Sequence, residues 1–362
     1  MSAKSLYVHI PFCNVICSYC DFTKLYYKKD WAEKYISALL YEISSLKKEK
    51  MNTIYIGGGT PSSLDIIELN KLLVSLDVFV GENTEFTFEA NPESLDEEKI
   101  KLLKKHCVNR VSLGVQSSNE KYLKLLNRNH SFGLVKEKIN LLRRHGISNI
   151  NVDLIYALPE QSITDLEEDL ENFISLDVPH ISTYSLILEK STVFFNQGIK
   201  EASEDTQADF YNLIVEKLRA KGYIRYEVSN FAKDNYFSKH NLTYWHNEEY
   251  YGVGLGASGY LNNIRYTNSK NLHKYLDHEF VDYKEVVNKD DLFKYFLLTN
   301  LRLSEGFNLD KFKEIFKFDF LEKYKDKISD LEKYDLVLVK NGNFMCSDKG
   351  ILVLDKILLN FF

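Results

Sequence analysis

Cysteine is scarce in this chain. It has five in 362 residues, three of them between Cys13 and Cys20, with Cys107 and Cys346 far away. So few, so unevenly placed, cannot frame a disulfide-stapled secreted domain, and a metal or cluster site in a reducing compartment fits better. No apolar run approaches the roughly 20 residues of a membrane span, and the opening "MSAKSLYVHIPF" lacks the apolar core of a signal peptide. The expected location is the cytoplasm, with membrane contact only through a partner. An excess of positive charge is missing too: 46 Lys and Arg against 52 Asp and Glu leave a net charge of -6. That balance argues against nucleic acid as a partner. The basic runs Lys47 to Lys50 and Arg143-Arg144 read as solvated helix faces.

With 44% hydrophobic residues the chain can bury a large core. Short segments rich in β-branched and aromatic residues recur at Ser5 to Ile10, Thr53 to Ile56, Glu85 to Glu89, Arg110 to Gly114, Asn149 to Ile155 and His180 to Leu186. Amphipathic helical patterns separate them. Asp30 to Glu49 places Trp31, Tyr35, Ile36, Leu39, Leu40, Ile43 and Leu46 on one face with Asp30 as N-cap, and Gly146 is a C-cap candidate for the helix before it. Alternating strands and helices imply parallel βαβ units, in a partial barrel or an open doubly wound sheet. In either, chemistry gathers at the carboxyl ends of the strands. Residues 235 to 271, rich in Tyr, Asn, His and Gly, resist a helical assignment. From Asp290 onward three helices, a hairpin over "LVLVKNGNFMCS" and a terminal helix follow the order of a winged helix, without the basic character that DNA binding needs.

The conspicuous polar motifs fall at the strand ends. After the first strand comes C-x3-C-x2-C, three soft thiolates on one loop, which suit an iron-sulfur cluster or zinc. A structural zinc would want a fourth ligand, for which His9 is the nearest candidate. A four-iron cluster held by three thiolates keeps one iron open to an external ligand. After the second strand, "YIGGGTPS" lets backbone approach a ligand closely, yet it is neither a P-loop nor G-x-G-x-x-G. Later strand ends carry Glu89 in "FEANP", Gln116 in "SLGVQS" and Asp153 in "NVDLIYALP".

With "YVHIPFC", "CSYCDF", "GGGTPS", "EANPES", "RVSLGVQS", "NVDLIYALPEQS" and "YEVSNFA", this set resembles the radical S-adenosylmethionine (SAM) superfamily. Within it, the chain is similar along nearly its whole length to oxygen-independent coproporphyrinogen III dehydrogenase and to the heme-chaperone group related to that enzyme. The resemblance implies an α/β fold: a partial (βα)6 TIM-like barrel of the radical SAM type with a mainly helical, winged-helix-like C-terminal domain. Its divisions would be residues 1–235 for the barrel, 236–289 for an aromatic, glycine-rich, heme-associated segment, and 290–362 for the C-terminal domain. It also implies a 4Fe-4S cluster on Cys13, Cys17 and Cys20. For SAM it implies Tyr7, Tyr19, Gly58, Gly59, Thr60, Glu89, Gln116, Arg128 and Asp153. No residue is assigned a catalytic role.

Within the superfamily, three features favour the chaperone group. Asp21-Phe22 stands where the dehydrogenase continues its motif with a further cysteine, and Cys13 follows the start too closely for that enzyme's N-terminal extension. "KHNLTYWHNEEYYGVGLGASGY" matches the H-N-x-x-Y-W motif tied to heme in the chaperones, through His240, Asn241, Tyr244 and Trp245. His246 is a competing axial ligand. Leu255 and Ser258 depart from the Cys and His expected in many relatives. The implied cargo is heme, and the implied partners are an acceptor hemoprotein such as a respiratory cytochrome and a second copy of the chain. The alternatives are oxidative decarboxylation of coproporphyrinogen III to protoporphyrinogen IX and, third, a structural zinc.

Overall fold

A computed structural model describes residues 3–362; Met1 and Ser2, where the signal-peptide reading begins, lie outside the described residues. Six parallel strands form the centre: β1 (Ser5–Ile10), β2 (Met51–Gly58), β3 (Val80–Ala90), β4 (Arg110–Gln116), β5 (Asn149–Tyr156) and β6 (His180–Ser185). They pair in sequential order, which is barrel order and decides against the doubly wound alternative. Helices α1 (Lys29–Ser44), α2 (Ile66–Leu76), α3 (Glu97–Lys105), α4 (Phe132–Arg144), α5 (Ile163–Ser175) and α6 (Glu204–Ala220) alternate with these strands. The barrel stays open. β7 (Ile224–Arg225) and β8 (Asn230–Ala232) extend it antiparallel beyond β6.

Period-two alternation sorts the strand residues into two layers. Leu6, Val8, Ile54, Ile56, Phe86, Phe88, Val111, Leu113, Ile150 and Val152 are fully buried and join the helices in one apolar core. The alternate positions are polar and equally buried: Ser5 and His9 on β1, Thr53 on β2, Glu85 and Thr87 on β3, Arg110 and Ser112 on β4, Asn151 on β5, His180 and Ser182 on β6. Strand register aligns Tyr7, Tyr55, Thr87, Arg110 and Asn149 across five neighbours. The barrel lumen is therefore lined with polar side chains rather than filled with branched apolar ones.

Helix ends follow local chemistry. Ser162 and Asp165 form a capping box on α5, and Gly146, at φ 77°, takes the left-handed position just after α4 and its His145 cap. Asp30 is not the N-cap of α1. That helix begins at Lys29 after Lys28, which makes no side-chain cap, so Asp30 sits in the first turn, where its charge favours the positive helix end. Trp31, expected on the buried face, is 38% exposed.

The 235–271 stretch contains a helix after all, α7 (Lys239–Trp245), capped by Ser238. Helical packing overrides its poor helix formers. Next come β9 (Tyr251–Val253), which pairs parallel with β1, and a three-stranded sheet of β10 (Ser258–Leu261), β11 (Ile264–Asn268) and β12 (Val281–Val286). Glu42, a carboxylate on the apolar face of α1, fastens this region to the barrel. It accepts from the Gly254 N–H at 2.8 Å, Asn268 Nδ2 at 2.6 Å and the Tyr275 hydroxyl at 2.5 Å. Glu42→Ala strands three buried donors, so urea denaturation should show a loss on the order of 3 kcal/mol, with Glu42→Gln losing less.

In the C-terminal region α8 (Lys289–Asn300), α9 (Leu309–Phe316) and α10 (Lys325–Lys333) precede the hairpin of β14 (Val337–Lys340) and β15 (Asn343–Cys346). A third strand, β13 (Phe307–Asn308), pairs with β15. Phe296, Phe307, Phe312, Phe320 and Phe344 interlock there at ring distances near 5 Å. Asp348 joins the region to the barrel through Arg219 at 2.9 Å and Arg225 at 2.7 Å.

Candidate cluster and cofactor site

A cavity of about 400 Å³ opens at the carboxyl end of the barrel. Cys13, Cys17 and Cys20 line it, together with Tyr19, Gly58, Gly59, Thr60, Glu89, Gln116, Arg128 and Asp153. The cysteine loop is pinned on both sides. At its base Leu25 N–H donates to Pro11 O (2.7 Å) and Tyr27 N–H to Cys13 O (2.9 Å). At its tip Ser18 N–H donates to Leu126 O (3.2 Å) and Asn127 Nδ2 to Ile16 O (2.8 Å). Two donors address the sulfurs directly: Thr60 Oγ1 to Cys13 at 3.5 Å and Arg128 Nη1 to Cys17 at 3.4 Å. Burial pushes the Cys13 thiol up to about 11 and raises that of Cys20. A free thiolate is thus disfavoured at both positions, and bound iron would supply the missing positive charge.

The glycine loop fits a close-lying ligand. Gly58 has φ 119°, and a Cβ there would fall 2.5 Å from the His9 ring. A Cβ on Gly59 would come within 2.8 Å of the Pro11 carbonyl and 3.0 Å of the Cys13 sulfur. Only glycine fits at either position, since a side chain would collide with His9, Pro11 or Cys13, and the bare backbone forms a cradle beside the thiols. His9 supports this cradle from below and is no fourth metal ligand. Its Nε2–H donates to Thr23 O at 2.8 Å, which leaves Nδ1 to accept from the Tyr7 hydroxyl at 3.0 Å. Burial lowers its pKa to about 4, so it stays neutral.

Four polar side chains complete the wall. Glu89 accepts from Gly58 N–H at 3.0 Å and from the Tyr55 hydroxyl at 2.6 Å, while burial pushes its carboxyl up to about 7. Burial also raises Asp153. Gln116 stands at a register shift between β4 and β5 with φ 70°. That left-handed conformation costs about 1–3 kcal/mol and turns the side chain into the cavity. Arg128 is 8% exposed and donates through Nη2 to Asn91 Oδ1 at 2.8 Å and to the Gly114 carbonyl. Asn91 was not singled out by sequence, although "EANP" places it two positions beyond Glu89. Lys24, whose ammonium donates to the Cys20 carbonyl, is another cavity residue without a sequence cue.

Tyr7 and the H-N-x-x-Y-W residues lie elsewhere. The Tyr7 ring packs 6.1 Å from Tyr55 and 6.4 Å from His240, inside the lumen. Helix α7 closes the opposite, amino-terminal end of the barrel: Glu85 accepts from the N–H groups of Lys239 (3.2 Å) and His240 (3.1 Å). Thr243 meets Ser5 at 2.9 Å. The His240 ring is 1% exposed, stacks on Tyr55 at 5.0 Å, and has both nitrogens engaged, Nδ1 with Thr53 and Nε2 with Tyr244, each at 2.8 Å. The Asn241 N–H is capped by Ser238 Oγ at 3.4 Å. Trp245 keeps a buried indole N–H with no partner, and His246 at the helix end is exposed.

A sequentially ordered partial barrel with a three-cysteine loop after its first strand is the architecture of the radical SAM class, and the Radical SAM superfamily profile matches residues 7–173. A second profile, the HemN C-terminal domain, matches residues 287–353. Heme chaperone HemW of Lactococcus lactis subsp. lactis is 43% identical over 96% of this chain and 94% of its own length. The proteins of the same name from Bacillus subtilis (38%, covering 86% of each chain) and Escherichia coli (32%, covering 83% of each) are also similar. The solved structure of Escherichia coli coproporphyrinogen III oxidase (HemN), a radical SAM enzyme, superposes with a TM-score of 0.86 at 21% identity, over 99% of this chain and 90% of that one. The chain belongs to the HemW family of radical SAM proteins. Membership implies a 4Fe-4S cluster and SAM.

Proposed function

We propose that this protein is a cytoplasmic heme chaperone, which binds heme and passes it to an acceptor hemoprotein such as a respiratory cytochrome, with a homodimer as a further assembly. The observation that carries the reading is near full-length similarity to proteins named heme chaperones, joined to a cavity where three thiols face a glycine cradle. Cys13, Cys17 and Cys20 would hold the cluster. Gly58, Gly59 and Thr60 would admit the SAM methionine moiety beside the open iron, with Glu89, Gln116, Arg128 and Asp153 supplying charge and hydrogen bonds and Tyr19 a wall. When bound, cluster and SAM supply one-electron chemistry. The chain's own contribution is to orient them, exclude water, and hold Arg128 against Cys17. No helix among the described residues is long and apolar enough to cross a membrane.

Heme is assigned to the α7 segment, with His240, Asn241, Tyr244 and Trp245. The unpartnered Trp245 N–H is a donor that a heme propionate would satisfy. Iron ligation by His240 requires that one of its two ring hydrogen bonds open. Hemin titration tests the reading: wild type should bind, and His240→Ala should lose affinity by tenfold or more, about 1.4 kcal/mol. Loss in His246→Ala instead would move the ligand to the helix end. Porphyrinogen turnover with SAM and reductant, without hemin binding, would replace the chaperone by the dehydrogenase.

A further inference from the structure

Asp153 reaches the cavity from β5, and what holds it lies deeper in the lumen. Asn151, two residues back on the same face, donates through Nδ2 to Asp153 Oδ1 and to Ser112 Oγ, each at 2.7 Å. Its Oδ1 accepts from Ser182 Oγ at 3.0 Å and contacts His180 Nδ1 at 2.6 Å. An amide oxygen can only accept, so His180 carries its proton on Nδ1. Its Nε2, in the neutral ring, then accepts from the Tyr226 hydroxyl at 2.8 Å. The Tyr226 oxygen in turn receives the N–H of Ser238, the N-cap of α7, at 3.3 Å.

Every donor in this series points the same way: Ser238 N–H to Tyr226, Tyr226 O–H to His180, His180 Nδ1–H to Asn151, Asn151 Nδ2–H to the Asp153 carboxylate. The side chains are shut away from water, with His180 0%, Asn151 2% and Tyr226 5% exposed. In such surroundings aligned hydrogen bonds polarise one another, and an anion at the acceptor end gains most. Burial also holds His180 well below its usual pKa, consistent with the neutral ring the tautomer argument requires.

We infer that Asn151, His180 and Tyr226 are positioning residues for the SAM site, a one-directional hydrogen-bond series that fixes Asp153 and makes its orientation depend on the seating of α7 at the far end of the barrel. None of the three lines the cavity. The inference rests on the assignment of SAM to that cavity and adds which buried residues tune it.

The test measures SAM affinity of reconstituted holoprotein by equilibrium dialysis, together with the SAM-dependent change in the electron paramagnetic resonance signal of the reduced cluster. Iron content and melting temperature serve as controls. Asn151→Leu is expected to weaken SAM binding roughly tenfold, the scale of one hydrogen bond to a charged group. Tyr226→Phe, which removes a single hydroxyl and keeps the ring, should weaken it less while iron content stays at wild type. His180→Gln, able to donate at one end and accept at the other, should retain more affinity than His180→Leu. In an Asp153→Ala background, Asn151→Leu should add no further loss, since it acts through that carboxylate. Full additivity of the two substitutions, or wild-type affinity in both Asn151→Leu and Tyr226→Phe, overturns the inference. Failure of the wild-type holoprotein to bind SAM at all would instead remove the site assignment on which it depends.

Discussion

Cys17→Ala, reconstituted anaerobically with iron and sulfide, is expected to bring iron and acid-labile sulfide down to background while the chain stays folded. Three thiolates are the minimum that this loop offers a four-iron cluster, and two leave two irons exposed. The fold should survive because Cys17 is only partly buried and the loop is fastened by backbone hydrogen bonds at both ends, Leu25 to Pro11 and Ser18 to Leu126. Two controls sharpen the result. Cys107 is exposed, so Cys107→Ala should change neither metal content nor melting. Cys346 is buried against the C-terminal core, and Cys346→Ala should lower stability without touching the cluster. Iron retained in Cys17→Ala, or zinc without sulfide in wild type, would dismiss the cluster assignment.

The second large effect is expected from Gly58→Ala. Its φ of 119° strains any L side chain, and the new methyl would meet the His9 imidazole at 2.5 Å. Strain and overpacking each cost about 1–3 kcal/mol, so a loss on the order of 3 kcal/mol should appear in urea denaturation. His9 cannot yield cheaply, being held through Nε2 to Thr23 and through Nδ1 to Tyr7. Any shift of the loop also carries the Gly58 N–H off Glu89, so SAM affinity should fall with stability. A variant as stable as wild type that binds SAM normally would show that the cradle is not where the ligand lies.

The barrel strands, the cysteine loop and the glycine cradle were legible because each announces itself locally, through β-branched runs, clustered thiols and consecutive glycines. Helix α7 was not. "KHNLTYW" has mediocre helix formers, and it folds as it does because Glu85 receives its first N–H groups and Thr53 and Tyr244 hold His240. Glu85 and Thr53 are more than 150 residues away in sequence. Asn151 and His180 were missed for another reason. Polar residues at Asn149, Asn151 and Asp153 alternate with Ile150, Val152 and Leu154, a pattern that ordinarily means one face in water. In this barrel the polar face is also enclosed, and a single strand carries no sign of the difference. Glu42 was hidden in the same way, a carboxylate on an apolar helix face whose partners all lie more than two hundred residues later.

Because α7 stoppers the barrel at its amino-terminal end, the molecule works as a cup rather than a tube. Whatever sits deepest must enter first and leave last. A cluster on Cys13, Cys17 and Cys20 and SAM against Glu89 and Asp153, the sites proposed for them, would lie below the rim formed by Phe22, Tyr184 and Ile187 and would have to be seated before a bulkier molecule covered that rim. On that assignment, the vessel's shape would impose an order of loading.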